Sequence, residues 1–174
     1  MSAVSALAAV LLSSGYVVVP EYSPVDVGSL ADSAVAEFQV DPSVAAAVAG
    51  GAVVGGWIGD VHPAWLVAVA AGETAGSFRV DAVGDGGRSL GLCQIQMRSA
   101  RAVMPSVTRE ALLRPWWNVV IAGLLYGRLI RKFGRPRAHL IYGCGFRCSG
   151  LSTYGGRWKM VMFRRLVRRL GRNG

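Results

Sequence analysis

Residues 1–60 contain no Lys or Arg against six acids, and residues 111–174 contain no Asp or Glu against fourteen bases. The net charge of +9 therefore belongs to the C-terminal part of the chain and not to the whole fold. An acidic end repels polyanions and a basic end attracts them. Charge is scarce overall, at 17% of residues against 52% hydrophobic, with a mean hydropathy of +0.39. That balance excludes a wholly disordered chain, which needs low hydrophobicity to stay unfolded. Cysteine is scarce too: Cys93, Cys144 and Cys148 make an odd count, which excludes a full disulfide framework. With His139, two of them offer three unevenly spaced ligands, short of the paired pattern of zinc sites, so neither metal nor cofactor is expected. The first twenty residues lack charge altogether, and with it the Lys or Arg that opens a secretory signal.

What is present divides 174 residues into one domain with attached segments. A second uncharged run, Pro42 to Gly59, is eighteen residues of mostly Ala, Val and Gly, long enough for a bilayer crossing or a buried helix. Between the two runs, Glu21 to Asp41 is polar, acidic and flanked by prolines, and reads as a linker or loop. Pro63 then starts an apolar helical run that ends at Glu73. The Gly- and Asp-rich stretch from Gly76 to Gly87 predicts a short hairpin. Short helices are expected at Ser99 to Val103 and Thr108 to Leu113, a long one from Pro115 to Phe133, and another around Ala138 to Tyr142. From Arg157 onward, Met160, Phe163, Leu166, Val167 and Leu170 alternate with arginines as a basic amphipathic helix.

Glu73 is the leading chemical candidate, because ten consecutive nonpolar residues from Pro63 run directly into it. A carboxyl group held against apolar neighbours is desolvated, which favours its protonated form and suits it to general acid catalysis. Asp81 and Asp85 follow eight and twelve residues later. The tight glycine turn predicts that Asp85 caps its own backbone.

The order of motifs goes further. Glu73, then Ser77-Phe78, then Ala82-Val83-Gly84-Asp85-Gly86-Gly87-Arg88-Ser89-Leu90-Gly91-Leu92-Cys93-Gln94-Ile95 resembles the soluble lytic transglycosylase family, whose lysozyme-like domain carries a helix-borne Glu-Ser and a Gly-Leu-Met-Gln segment. Asn118 with Gly123 and Tyr126 resembles the third motif, and Tyr142-Gly143-Cys144-Gly145 the closing Tyr-Asn-x-Gly. The resemblance covers Asp60 to Gly156. Thr74 stands where the family has Ser, Cys93 where it has Met, and Gly143 where it has Asn. Ser89 takes the place at which chicken-type lysozymes carry an Asp, so the second carboxylate of most glycosidases is missing there.

The resemblance implies a mainly α fold, a lysozyme-like α+β domain with a short β-hairpin, preceded by apolar N-terminal segments and followed by a basic amphipathic helix. The segments would be 1–59, 60–156 and 157–174. It implies cleavage of peptidoglycan glycan strands with a 1,6-anhydro product, Glu73 acting as acid and then base. Thr74, Ser89, Gln94, Asn118 and Tyr142 are the implied substrate-binding residues. The flanking segments suit attachment to an anionic membrane or to a virion, or delivery to the bacterial envelope. Clustered arginines also suit non-specific nucleic-acid binding. A hydrolytic muramidase and a non-catalytic scaffold are the rival readings. On this reading the tail is dispensable for cleavage, since every motif residue precedes it.

Overall fold

A computed structural model of the chain describes residues 25–144 and 154–173. The uncharged run Met1–Pro20, Gly145, Cys148 and the side chains of His139 and Cys144 lie outside the described residues. Eight α-helices are described: α1 (Val27–Phe38), α2 (Pro42–Gly59), α3 (Pro63–Glu73), α4 (Met97–Arg101), α5 (Arg109–Leu112), α6 (Pro115–Phe133), α7 (Arg135–Cys144) and α8 (Tyr154–Asn173). Between α3 and α4 lie strands β1 (Val83–Gly84), β2 (Ser89–Leu90) and β3 (Ile95–Gln96). They form an antiparallel sheet with Val83 opposite Leu90 and Ser89 opposite Gln96. The fold is mainly α with this one small sheet, as the sequence leads one to expect.

The segment read as a linker holds helix α1. Asp26 caps it, its carboxylate accepting the Ser29 amide at 2.7 Å, and Leu30, Ala31 and Ala34 turn one face into the core. Pro42 opens α2, where its missing N–H is no loss. Acids at the caps and serines on the helix diluted the apolar period, which is why the segment looked like loop.

α2 packs on α6, with glycines on both. A Cβ on Gly59 would stand 2.1 Å from the Gly123 carbonyl oxygen, and one on Gly123 2.2 Å from that of Gly55. The two backbones therefore touch, which no larger residue permits. α2 has the length and the hydropathy, 1.4, to cross a membrane, while 44% of it is buried within the protein.

α3 is the central helix, buried at every residue from Pro63 to Ala71. His62 caps it, Nδ1 accepting the Ala64 amide at 3.2 Å. α8 lies along α3 and α1. It buries Lys159, Met162 and Leu166, half-buries Met160, Phe163 and Leu170, and leaves Val161 and Val167 exposed. Arg165 Nη1 and Arg169 Nε each donate to the Glu37 carboxylate of α1 at 3.0 Å. One hydrophobic core runs from Leu30 of α1 through α3 and α6 to Leu166 of α8. α2 and α8, on either side of residues 60–156, share this core, and α8 is docked on it by one face.

Candidate active site

The apolar run of α3 carries Glu73 out of the core at the helix C-terminus, into a cleft of about 1050 Å³. Asp85 and Gln94 from the turns between strands, Ser89 from β2 and Arg98 from α4 line the cleft with Glu73. Arg128 and Lys132 of α6 and Tyr142 of α7 also line it. Four of the six residues implied by the resemblance, Glu73, Ser89, Gln94 and Tyr142, come together here.

Glu73 differs from expectation in its surroundings. Its neighbours are not only apolar, because the Lys159 ammonium from α8 bonds to Oε1. The Lys159 side chain is 6% exposed and that of Glu73 23%. The chain has only two lysines, and Lys159 is the one within the arginine-rich C-terminal stretch. That break in an otherwise arginine pattern is the signal that sequence reasoning passed over.

Ser89 sits on β2 and donates to Asp85 Oδ2 at 2.5 Å. The Asp85 side chain is thus directed at Ser89 within the cleft and does not cap its own backbone, contrary to the turn-based expectation. Asp85, Gly86 and Gly87 all have positive φ, at 52°, 63° and 93°. Two glycines make that path accessible and Asp tolerates it. A second carboxylate therefore lines the cleft from a position other than Ser89.

Gln94 also has positive φ, 47°, and its Nε2 donates to the Gly91 carbonyl at 2.9 Å and to that of Ala82 at 3.4 Å. Gly84 is required beside it, since a Cβ there would meet Gln94 Oε1 at 2.2 Å. The amide nitrogen braces the sheet, and the oxygen lies against the Gly84 backbone. Tyr142 donates its hydroxyl to the Cys93 carbonyl at 3.2 Å and stacks on Tyr126 with ring centroids 4.3 Å apart. Burial pushes its phenol well above the usual range, with Cys93, Tyr126 and Glu73 adding to the effect, so it stays a proton donor. Its hydrogen bond goes to Cys93 and not to Glu73.

Thr74 and Asn118 stand behind the cleft wall. Thr74 Oγ1 donates to the Ala70 carbonyl at 2.7 Å and accepts the Phe78 amide at 3.1 Å, which holds the turn after α3. Asn118 is fully buried; Oδ1 accepts the Cys93 amide at 2.7 Å, and Nδ2 donates to the Leu112 and Leu90 carbonyls at 2.7 and 3.0 Å. Its amide is saturated by backbone. Neither lines the cleft; both brace backbone next to residues that do.

Cys93 is a free, buried thiol; burial, and after it the Glu73 carboxylate, pushes it far above its ordinary range, so it remains un-ionised and inert. Among the described residues no group of three or more His, Cys, Asp or Glu is placed to hold a metal ion. Comparison with known protein families, curated proteins and solved structures finds no match for this chain.

Proposed function

We propose that this protein is a peptidoglycan lytic transglycosylase with a lysozyme-like domain. The observation that carries this reading is the placement of Glu73: a helix-end carboxyl at the edge of a buried apolar helix, facing a cleft walled by a small antiparallel sheet and by α6 and α7. Protonated Glu73 would donate its proton to the oxygen joining C1 of N-acetylmuramic acid to N-acetylglucosamine, and the C1–O bond breaks. The substrate's acetamido oxygen supports the positive charge at C1. Glu73, now a carboxylate, takes the proton of the muramyl 6-hydroxyl, whose oxygen closes on C1 as the 1,6-anhydro sugar. The carboxyl ends as it began, and no water is consumed. Gln94 and Tyr142 line the cleft that the sugars would fill.

A hydrolytic muramidase is the second reading, and the observation that favours it is Asp85. Its carboxylate lines the same cleft as Glu73, which gives the acid and base pair of hydrolysis. Ser89 holds that carboxylate at one oxygen, a brace that suits a structural role equally. Mass spectrometry of muropeptides released by the purified protein separates the two, since transglycosylation gives anhydro-muropeptides and hydrolysis gives reducing ends. Glu73→Gln keeps the shape but removes the transferable proton, and should abolish release of either product from a folded protein. Undiminished release by that variant would refute the assignment, and no release by the wild type would leave a non-catalytic scaffold.

Delivery to a virion or the cell envelope is part of the same proposal, with the outward Arg157, Arg164 and Arg168 of α8 as the attachment to anionic membrane. Because the apolar face of α8 is turned into the core, such attachment rests on charge. High salt should therefore remove most of it. The same arginines suit non-specific contact with nucleic acid.

A further inference from the structure

We infer that Lys159 is a positioning residue of this site: its ammonium fixes Glu73 Oε1, so that Oε2 is the oxygen that exchanges a proton with the substrate. The inference rests on the transglycosylase reading and adds a helix to the catalytic unit that no motif of the sequence includes.

Three observations converge on it. First, the bond is single-point: Lys159 Nζ reaches Oε1, and Oε2 has no hydrogen bond to any described residue. One oxygen is anchored and the other is left to the cleft. Second, the anchor is built in. Lys159 is 5% exposed although it is a lysine, and its stem lies across the helix residue that precedes the carboxylate. A Cβ on Gly72 would stand 2.6 Å from Lys159 Cγ and 2.7 Å from Cε, so glycine at this position is what lets the stem pass. An arginine fork is bulkier than a lysine stem, which accounts for lysine here among arginines. Third, α8 is held independently of this pair, by Leu166 and Met162 in the core and by the two arginines on Glu37. Lys159 is therefore delivered by a docked helix, and a carboxyl so oriented does not have to be ordered anew at each turnover.

Charge adds to geometry. As the proton leaves Glu73, negative charge develops on a carboxyl already facing a buried ammonium. A fixed cation aimed at developing charge stabilises the transition state without reorganisation. The same pair steadies Glu73 while it waits, as a carboxylate, for the 6-hydroxyl proton.

The test compares full-length wild type, Lys159→Met, Lys159→Arg and Gly72→Ala, measuring kcat and KM for anhydro-muropeptide release from purified glycan strands, with circular dichroism to count folded molecules. Lys159→Met should lower kcat per folded molecule roughly a hundredfold with KM little changed. Lys159→Arg, which retains the cation, should recover part of that loss. Gly72→Ala keeps both charges and adds a better helix former, so it folds even if Lys159→Met does not; it displaces the lysine stem and should lower kcat about tenfold. A role confined to stability would reduce the folded fraction and leave kcat per folded molecule alone. Wild-type kcat in folded Lys159→Met or in Gly72→Ala overturns the inference while leaving the transglycosylase reading intact. Absence of any glycan cleavage by the wild type overturns the function itself, and with it the catalytic role given to Lys159.

Discussion

α2 docks on α6 through glycine, whereas α8 docks on α1 and α3 through a lysine and two arginines as well as apolar residues. At the first seam, carbonyl oxygens of Gly55 and Gly123 occupy the space where a side chain would be. Nothing at this contact can move aside, because both sides are backbone. At the second seam every charged contact is made by the end of a long side chain, buried in Lys159 and exposed in Arg165 and Arg169. The first seam sets how closely the helices approach, and the second sets which side chain reaches which carboxylate. The second ends on Glu73, and the first places α6, which lines the same cleft.

The sharpest way to break this comparison is to give the glycine seam a methyl group. Gly123→Ala should destabilise the fold by about 3 kcal/mol, since overpacking against rigid backbone exceeds the roughly 1 kcal/mol of helix propensity that alanine gains over glycine. Chemical denaturation measures it. Wild-type stability in that variant would show that the backbones are not in contact, and the distinction between the two seams would fall.

Asn118→Ala should come next, at about 2 to 3 kcal/mol, because it leaves the Cys93 amide and the Leu90 and Leu112 carbonyls unpaired in the interior. Its activity readout sharpens the placement of Asn118 behind the wall. If it only braces the wall, glycan KM in molecules that remain folded should change little, and a large rise in KM at unchanged stability would put it back among the substrate contacts.

Much of this was legible from the sequence, for physical reasons that differ from place to place. Pro63 and Pro115 mark helix starts because proline suits the first helical position, and both helices begin there. Glu73 was legible because a carboxyl after ten nonpolar residues breaks a pattern. The Gly-rich stretch gave away a turn but not its handedness, and the positive φ of Asp85 redirected a side chain expected to cap its own backbone. α1 was missed because polar residues interrupt its apolar period, Ser33 being buried with the apolar face and Glu37 nearly so. The α8 stripe was legible in all but one residue: Leu166 is buried and Met160, Phe163 and Leu170 pack on the core, with Lys159 and Met162 buried beside them, while Val167 is exposed. Periodicity fixes the face of a helix only to within a residue, and it says nothing of a partner carboxylate far away in the chain. Lys159 and Glu73 are separated by 86 residues, and no local spacing rule connects them.

The smallest expected effect probes the outer end of the α8 seam. Burial alone would raise Glu37, but the guanidinium groups of Arg169 and Arg165 outweigh it and hold the carboxyl below its ordinary 4.5. A carboxyl lowered in the folded state contributes its stability above the unfolded value and loses it as pH falls through the lower folded one. The wild type should therefore exceed Glu37→Gln in stability at pH 7, and the two should converge as the solution is taken below pH 4.5. The difference at pH 7 should be about 1 kcal/mol or less, because the arginine side chains are 55% and 42% exposed and solvent screens them. Salt should shrink it further, unlike the loss at the glycine seam, which contains no charge. Thermal melts of both proteins from pH 3 to pH 7, at low and high salt, read all of this. If the gap persisted unchanged at acid pH and in high salt, Glu37 would be holding α8 by shape, and the two seams would be alike after all.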